Sequence, residues 1–234
     1  MRVIELKQGD IMQKIAIPAL LNLEHTAARE LFLEYTYPWE VLPQISSYIR
    51  GIIDNLPYER YCMVSRDVAI AKSAKIADNV LVYGPTIIGE ECELRSGAFI
   101  RGGVLVGSGA VIGNSCEVKN SIIFDEAQIP HFNYVGDSVI GYRAHLGAGV
   151  ITSNLKSDKT LIGVKLGNLQ IHTGLKKFGA ILGDRAEIGC NSVLNPGSII
   201  GRDSIVYPLS SVRGAVPERS ILKSGGVIVK RENL

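Results

Sequence analysis

The sequence VAIAKSAKIADNVLVYGPTIIG (residues 68–89) begins the stretch that decides the fold, which continues to Thr152. An aliphatic residue recurs at every sixth position of this stretch. A small or compact residue stands two positions before most of them, and glycine often comes directly after. The repeating positions are Ile70, Ile76, Val82, Ile88, Leu94, Ile100, Val106, Ile112 and Val118, and Phe124 and Pro130 continue the same step.

A period of six residues is typical of one architecture. It fits neither an α-helix, which repeats about every 3.6 residues, nor a flat strand, which repeats every two. It is the hexapeptide pattern of a parallel β-helix with about eighteen residues per coil. We therefore predict a mainly β protein, a left-handed parallel β-helix of hexapeptide repeats whose aliphatic side chains point inward. Left-handed crossovers are rare, so only a long and regular repeat supports this handedness.

The repeat is interrupted twice before it ends. The register breaks near residues 130–136, resumes at Ile140 and Leu146, breaks again at 153–181 and then returns as far as Val206. We predict that both breaks are excursions of the chain out of the coil, and that glycine-punctuated residues 164–179 form a β-hairpin. Loops on a rigid scaffold often carry function, which makes both excursions candidate sites.

Residues 1–66 do not carry the repeat, and we predict a helical N-terminal cap or arm there. Residues 67–234 then form the β-helix domain. Apolar residues follow a helical spacing in residues 20–35 and 44–56. The first coil of a solenoid exposes unpaired backbone groups and an apolar end. We expect the helices to cover that end; the alternative is an element that docks a partner or covers a substrate, and the sequence does not separate the two.

Composition argues against several classes of function. A formal net charge of +2 gives no support for a nucleic-acid or membrane-binding surface. The four cysteines show no pairing motif, and no Cys/His spacing resembles a zinc site, so we expect no metal. No phosphate-binding glycine loop is present. With no signal peptide and no long apolar run, we predict a cytoplasmic protein.

Basic or aromatic residues occupy several turn positions where glycine or a bland residue is expected. With eighteen-residue coils, Arg95, Gly113 and His131 stack on one edge, while Tyr83, Arg101 and Lys119 stack on a second edge. Adjacent coils lie roughly 4.8 Å apart, so Arg95 and His131 would be about 10 Å apart, enough to span one sugar phosphate. A second subunit could bring the two edges together.

Two segments resemble a known enzyme family. HFNYVGDSVIGYRAHLGAGVITSNLKSDKT (residues 131–160) resembles the acetyltransferase domain of bifunctional glucosamine-1-phosphate N-acetyltransferase / N-acetylglucosamine-1-phosphate uridylyltransferases. TGLKKFGAILGDRAEIGCNSVLNPGSIIG (residues 173–201) is similar to the archaeal-type sugar-1-phosphate nucleotidylyltransferases that also acetylate amino-sugar 1-phosphates. The motifs H-x-x-Y-V-G-D and G-A-G-x-I-T-x-N are more specific than the hexapeptide repeat. The resemblance covers about residues 68–215.

The resemblance implies roles for individual residues. His131 matches the family's catalytic histidine, a general base, and acetyl-CoA is the implied co-substrate. The implied substrate-binding residues are Arg95, Lys119, Tyr134, Asn154, His145 and Lys159. Ala148, Cys190 and Arg213 are candidates for the acetyl-CoA groove, and backbone N–H groups of residues 147–149 for stabilising the oxyanion. The family also implies a homotrimer.

Some positions depart from the family pattern. His145 stands where bacterial members have Asn, Leu155 where they have Tyr, and Cys190 where they have Ser. Residues 1–66 are too few for the nucleotidylyltransferase domain that precedes the β-helix in the family, so we expect this chain to lack it. The departures leave the sugar specificity and the activity open.

The sequence predicts an acetyl-CoA-dependent N-acetyltransferase of nucleotide-sugar biosynthesis that acts on a small amino-sugar 1-phosphate. Two alternatives stay open. One is a non-catalytic subunit that binds a sugar phosphate or serves as a scaffold, and the other is an O-acetyltransferase in which His131 acts on a hydroxyl group. Acetyl-CoA binding would separate the first alternative from an enzyme, and a panel of amino and hydroxy sugars would separate the second.

Overall fold

The structure, a computed structural model, describes residues 12–232. Its main body is a β-helix of about nine turns, which confirms the predicted fold class. Strand β1 (Tyr61–Ser65) pairs antiparallel with β2 (Val68–Ala71) at one end of this solenoid. Beyond β2, strands from successive coils pair in parallel, so that equivalent residues of neighbouring coils stack on one another.

The stacked strands form three faces, which we call the first, second and third; the chain passes from the first to the third and then to the second. The first face contains β2, β5 (Thr86–Ile88), β8 (Val104–Val106), β17 (Ala180–Leu182), β20 (Ser198–Ile200) and β23 (Ala215–Val216). The second face contains β4 (Leu81–Val82), β7 (Phe99–Ile100), β14 (Ile151–Thr152), β19 (Val193–Leu194) and β22 (Ser211–Val212). Two longer strands, β10 (Glu117–Ile123) and β12 (Tyr134–Ile140), turn a corner and belong to both faces.

The third face forms a separate sheet. It contains β3 (Lys75–Ile76), β6 (Glu93–Leu94), β9 (Val111–Asn114), β11 (Gln128–His131), β13 (His145–Leu146), β18 (Glu187–Ile188), β21 (Ile205–Val206), β24 (Ser220–Leu222) and β25 (Ile228–Lys230). The last of these strands pairs antiparallel with its neighbour, so the parallel stacking ends there.

The aliphatic positions of the repeat point into the solenoid as predicted, up to Val118. The next two inward residues are Ile123 and Ile129, so the prediction that Phe124 and Pro130 continue the step is wrong. Val106 is paired with Ile123, which in turn is paired with Ile140, so these coils are one residue shorter than the earlier ones. Phe124 points outward instead and packs in a second apolar cluster.

The shorter coils also explain the first break in the register. β11 ends at His131 and β12 begins at Tyr134, leaving a two-residue corner between them. His131 pairs with Asn114, and Tyr134 pairs with Glu117, so both stay within the stacked coils. The excursion predicted near residues 130–136 is therefore not a loop outside the solenoid.

The second excursion leaves the solenoid between β14 and β17, as predicted. It contains an antiparallel hairpin, β15 (Gly163–Leu166) and β16 (Leu169–His172), within the segment where a hairpin was predicted. The excursion departs from the second face and rejoins the first, so it lies beside the corner between those two faces.

The N-terminal segment packs along the outside of the first face. It contains α-helices at Ile17–Leu20, Arg29–Leu33 and Ile45–Ile52, and 3₁₀ turns at Leu23–His25, Pro38–Gln44 and Ile53–Asn55; another 3₁₀ turn, Ser224–Gly226, lies near the C-terminus. Trp39, Ile45 and Ile49 of this segment are buried in one apolar cluster with the outward residues of the first face. Those outward residues are Ala69, Ile87, Leu105, Ile122, Val139, Ile181 and Ile199.

The helices therefore cover a face of the solenoid, and the expectation that they close its open end is corrected. The inward residues of the first coil, such as Ile70 and Ile76, are only partly buried. The physical reason is that each first-face strand places an apolar residue outward, and together these residues form a long apolar strip that requires a cover. Among the described residues, no helix combines the length and apolar character that crossing a bilayer requires.

Candidate functional site

A buried carboxylate lies at the corner between the second and first faces. Asp137 is only 4% exposed. Its Oδ2 accepts a hydrogen bond from Lys119 Nζ at 3.1 Å and another from Asn154 Nδ2, and its Oδ1 accepts from Asn120 Nδ2 at 2.9 Å. We call Lys119, Asn120, Tyr134, Asp137 and Asn154 the Asp137 cluster. One negative charge is thus shared among three donors from neighbouring coils.

The register of the coils brings the cluster together. Lys119 pairs with Gly136, so that Asn120 and Asp137 are the next residues at the same corner of successive coils. Both adopt left-handed backbone conformations, with φ of +43° and +49°. Asn and Asp tolerate this conformation better than other side chains that carry a Cβ. The sharp turn at the corner therefore favours the residue types that also make the polar contacts.

Tyr134 extends across the second face toward the same corner. Its Oη accepts a hydrogen bond from Asn154 Nδ2 at 3.2 Å. A Cβ added at Gly136 would lie 2.6 Å from that Oη, so the glycine leaves the space that the ring occupies. Burial raises the pKa of Tyr134, and the nearby charge of Asp137 raises it further. Tyr134 is therefore a neutral phenol at physiological pH.

Both ends of the second excursion are fastened at this cluster. Phe178 N donates to Asn154 O at 3.0 Å, and Gly179 N donates to Asp137 O at 2.8 Å. Phe178 is fully buried, with its ring centroid 6.0 Å from that of Trp39 in the N-terminal segment. The excursion and the N-terminal segment together fix the backbone on which Asn154 sits.

Three predicted residues line up on a different corner, between the third and second faces. Gly149 N donates to His131 O at 3.0 Å, and Asn191 N donates to Ala148 O at 2.8 Å. His131, Ala148 and Cys190 therefore follow one another on successive coils, and both His131 and Cys190 are exposed. His131 lies just before the second-face part of β12 and Asp137 lies at its far end, so the two residues are roughly 15 Å apart within one chain.

The remaining predicted residues lie neither in the Asp137 cluster nor in the row formed by His131, Ala148 and Cys190. Arg95 donates to Glu93 through Nε at 2.9 Å and through Nη2 at 3.1 Å. Arg95 stacks with Gly113 and Pro130, so the predicted alignment with His131 is off by one residue because the coil is shorter there. His145 lies on the third face with Nδ1 2.9 Å from Glu187 Oε2. It is level with Gln128, roughly 10 Å along the strand from His131.

Two more predicted residues lie elsewhere. Arg213 directly follows β22, at the corner between the second and first faces but two coils beyond the coil that carries Asn154. Lys159 is an exposed residue of the second excursion with a left-handed backbone. The structure thus gathers Lys119, Tyr134 and Asn154, and it leaves Arg95, His145, Lys159 and Arg213 apart from them.

Sequence reasoning missed Asp137 and Asn120 as site residues. A signal for Asp137 was present, because it ends the specific motif H-x-x-Y-V-G-D and stands eighteen residues after Lys119. No comparable signal marks Asn120. Within residues 12–232, no group of three or more His, Cys, Asp or Glu side chains is arranged to hold a metal ion.

The comparisons with known proteins point to one group of relatives. The family described as the GMPPB C-terminal domain matches residues 82–172. A bifunctional sugar-1-phosphate nucleotidylyltransferase/acetyltransferase from Sulfurisphaera tokodaii is 35% identical over 164 residues, 62% of this chain and 40% of that protein. Bifunctional protein GlmU from Methanococcus maripaludis is 29% identical over 250 residues, 97% of this chain and 57% of the relative.

The chain resembles the hexapeptide domain of GlmU-type bifunctional proteins. This agrees with the resemblance that the motifs indicate. The GlmU-like chain spans about half the length of the relatives it matches, 40% of the first and 57% of the second.

Solved structures of sugar acyltransferases are also similar to parts of the chain. Perosamine N-acetyltransferase from Caulobacter crescentus, solved with CoA and GDP-perosamine, is 22% identical with a TM-score of 0.33, covering 69% of this chain and 56% of that one. The N-acyltransferase AntD from Bacillus cereus is 18% identical with a TM-score of 0.37, covering 70% and 81%. At this level of similarity, neither structure assigns an activity to the GlmU-like chain.

Proposed function

We propose that the GlmU-like chain is an acetyl-CoA-dependent N-acetyltransferase that acts on an amino-sugar 1-phosphate. The observation that carries the proposal is that Lys119 and Asn154, from different coils, both donate hydrogen bonds to Asp137. Tyr134 joins this group through its hydrogen bond with Asn154. They offer one ammonium group and neutral polar groups, which suits a small phosphorylated sugar. The name of the Sulfurisphaera tokodaii relative, which pairs a sugar-1-phosphate nucleotidylyltransferase with an acetyltransferase, agrees with this substrate class.

In this mechanism Lys119 binds the phosphate and His131 acts as the base. The Lys119 side chain is 20% exposed, so its ammonium group is open to a ligand as well as to Asp137. Imidazole titrates near neutral pH, which suits a general base. His131 removes a proton from the amine of the sugar as the amine nitrogen attacks the thioester carbonyl of acetyl-CoA. The C–S bond then breaks, and CoA leaves as the thiol after it takes up a proton.

In this proposal the oxyanion of the tetrahedral intermediate is stabilised by a donor other than the Gly147 and Gly149 amides. Gly147 N already donates to Ile188 O at 2.7 Å, and Gly149 N already donates to His131 O at 3.0 Å. Both amides are therefore engaged in holding neighbouring coils together. The intermediate must be stabilised by another group, for which the Ala148 amide at the same turn is a candidate.

The two groups of residues are joined between subunits in this proposal. His131 and the Asp137 cluster lie at opposite edges of the second face, which exposes large apolar side chains, including Leu81, Tyr83 and Val193. An exposed apolar surface of this kind favours self-association. We propose a homotrimer in which the His131 edge of one chain faces the Lys119 edge of the next. Light scattering in solution measures the subunit number directly.

The activity is tested by free-thiol release from acetyl-CoA, with glucosamine-1-phosphate and galactosamine-1-phosphate as acceptors. We expect release that depends on the amino sugar. Glucose-1-phosphate is the control, since it carries a hydroxyl in place of the amine of glucosamine-1-phosphate. Release with the hydroxy sugar would move the assignment to an O-acetyltransferase. Absence of release with every acceptor, from a folded protein, would contradict the enzymatic proposal.

A non-catalytic sugar-phosphate-binding subunit is the second candidate. Two contacts favour it: the ion pair between Arg95 and Glu93, and the contact between His145 and Glu187. In each, a predicted substrate-binding side chain is bound to a carboxylate that lies away from the Asp137 cluster. Such a subunit would bind the sugar phosphate and would have no use for acetyl-CoA. Binding of acetyl-CoA therefore separates the two candidates.

Thiol labelling provides that measurement. Cys62 and Cys190 are exposed, whereas Cys92 and Cys116 are buried. Burial raises the pKa of Cys92 to about 12 and also raises that of Cys116, so neither forms the reactive thiolate at pH 8. We expect iodoacetamide to label only Cys62 and Cys190, and acetyl-CoA to slow the labelling of Cys190 alone, as read by peptide mass spectrometry.

Cys62, on β1, is the internal control for this experiment. Equal protection of both cysteines would indicate a general effect of the ligand on the protein. Unchanged labelling of Cys190 at saturating acetyl-CoA would remove Cys190 from the proposed groove.

A further inference from the structure

The Asp137 cluster has a fixed direction of hydrogen bonding. An ionised carboxylate only accepts hydrogen bonds, so the group of Asn154 that faces Asp137 must be its NH₂, Nδ2. The same Nδ2 donates its second hydrogen to Tyr134 Oη at 3.2 Å. The Tyr134 hydroxyl oxygen therefore accepts a hydrogen bond from Asn154, and its own O–H hydrogen points away from Asn154. The carbonyl oxygen of Asn154 likewise points away from Asp137.

We propose that Asp137 is a positioning residue that determines which donors and acceptors the site presents to its ligand. With Asp137 ionised, the site offers the Tyr134 O–H and the Lys119 ammonium as donors and the Asn154 Oδ1 as an acceptor. An amine with a hydrogen to donate meets Oδ1, and a sugar oxygen or phosphate oxygen meets the two donors. This inference rests on the proposed function, because it assigns these groups to an amino-sugar phosphate.

The carboxylate is itself held from its other side. Asn120 Nδ2 donates to Asp137 Oδ1 at 2.9 Å and lies 3.3 Å from Leu42 O in the N-terminal segment. The Asp137 backbone carbonyl accepts from Gly179 N at the end of the second excursion. Asp137 thus connects the N-terminal segment, the coil and the excursion. Its orientation is therefore fixed by contacts within the chain.

Asp137→Asn tests the proposal, since asparagine has nearly the same shape and tolerates the left-handed backbone at this position. The amide can present either its oxygen or its NH₂ to Asn154, so the direction of the network is no longer fixed. The Lys119 contact to phosphate remains available. We expect kcat for acetyl transfer to fall about 10- to 100-fold, with KM for the amino-sugar phosphate nearly unchanged.

Asp203→Asn is the matched control. Asp203 is also a buried corner residue with a left-handed backbone, φ +56°, and it accepts hydrogen bonds from Arg185 Nε at 2.6 Å and Nη2 at 2.9 Å. It lies at the corner between the first and third faces, away from the Asp137 cluster. We expect Asp203→Asn to lower stability without changing kcat. Equal losses of kcat in both variants would show a general structural effect and overturn the proposal.

A second measurement needs no substrate. Urea unfolding of Asp137→Asn, Lys119→Met and the double variant gives a double-mutant cycle for the pair. We expect the two changes to be strongly non-additive. Additive changes would overturn the inference that Asp137 holds Lys119. If the wild-type protein transfers no acetyl group, the proposed function fails, while the cycle still decides whether Asp137 organises the cluster.

Discussion

His131→Ala lowers the rate of acetyl transfer by about 10²- to 10⁴-fold if His131 is the general base. His131 is exposed, and within the described part of the chain its ring makes no hydrogen bond, so the fold and the subunit number should stay unchanged. The measurement is thiol release from acetyl-CoA at saturating amino-sugar phosphate. His172→Ala is the control, because it removes another exposed histidine from the hairpin strand β16. A near wild-type rate in His131→Ala would disprove the assigned base.

Mixing inactive variants extends this prediction to the arrangement of subunits. If one chain supplies His131 and its neighbour supplies Lys119, co-refolding His131→Ala with Lys119→Met produces some sites with both residues intact. Activity should then return in the mixture, although each variant alone is inactive. If each chain instead contained a complete site, the mixture would stay inactive, which would contradict the shared site.

We expect Gly113→Ala to lower the free energy of unfolding by about 4 kcal/mol or more, a loss of the size that severe steric conflicts cause. A Cβ at Gly113 would lie 1.6 Å from Pro130 O, a backbone atom of the next coil that cannot rotate away. The coils would have to separate at the residue before His131. The free energy of unfolding, measured in urea with the subunit concentration held constant, reports the loss.

Gly51→Ala is the matched control for this substitution. Gly51 lies in the helix Ile45–Ile52, and a Cβ there meets nothing within 4 Å. Alanine favours helix over glycine by about 1 kcal/mol, so this variant should be slightly more stable than the wild type. If the unfolding midpoint of Gly113→Ala equalled that of the wild type, the neighbouring coil would accommodate the Cβ without a loss of stability, which would contradict the prediction.

The architecture could be predicted from the sequence because every coil of the solenoid has to meet the same packing requirement. Each coil must point aliphatic residues into a narrow interior, and Ile70 to Val118 satisfy this at every sixth position. The stacking of Tyr83, Arg101 and Lys119 on one edge follows from that spacing and is confirmed by the pairing of Val82, Ile100 and Val118. Regular repetition therefore gives both the fold and part of the site.

The shortening of the coils by one residue after Val118 could not be predicted from which residues are apolar. Ile123 and Phe124 are both apolar, so either could occupy the inward position, and only the packing of complete coils selects Ile123. The shift by one residue then moved Arg95 out of line with His131. The partners of Asp137 were hidden for a related reason, because Asn154 reaches it only where the second excursion leaves the solenoid.

The cover over the first face did have a signal in the sequence. Three-residue strands such as Thr86–Ile88 and Val104–Val106 have apolar residues at their middle positions, which must point outward if their neighbours point inward. An apolar strip on the outside of a solenoid indicates that something packs on it. Which segment does so depends on contacts between distant parts of the chain, and a local pattern does not contain them.

The N-terminal segment changes how this molecule can unfold. In a solenoid each coil touches only its neighbours, so coils can fray one by one from an end. Here one apolar cluster joins the segment to coils from Ala69 to Ile199, and Asp184 N bonds to Leu20 O across most of the chain. Peeling away a terminal coil therefore also weakens contacts in the middle. The segment converts a nearest-neighbour stack into one cooperative unit, so that the coils melt together.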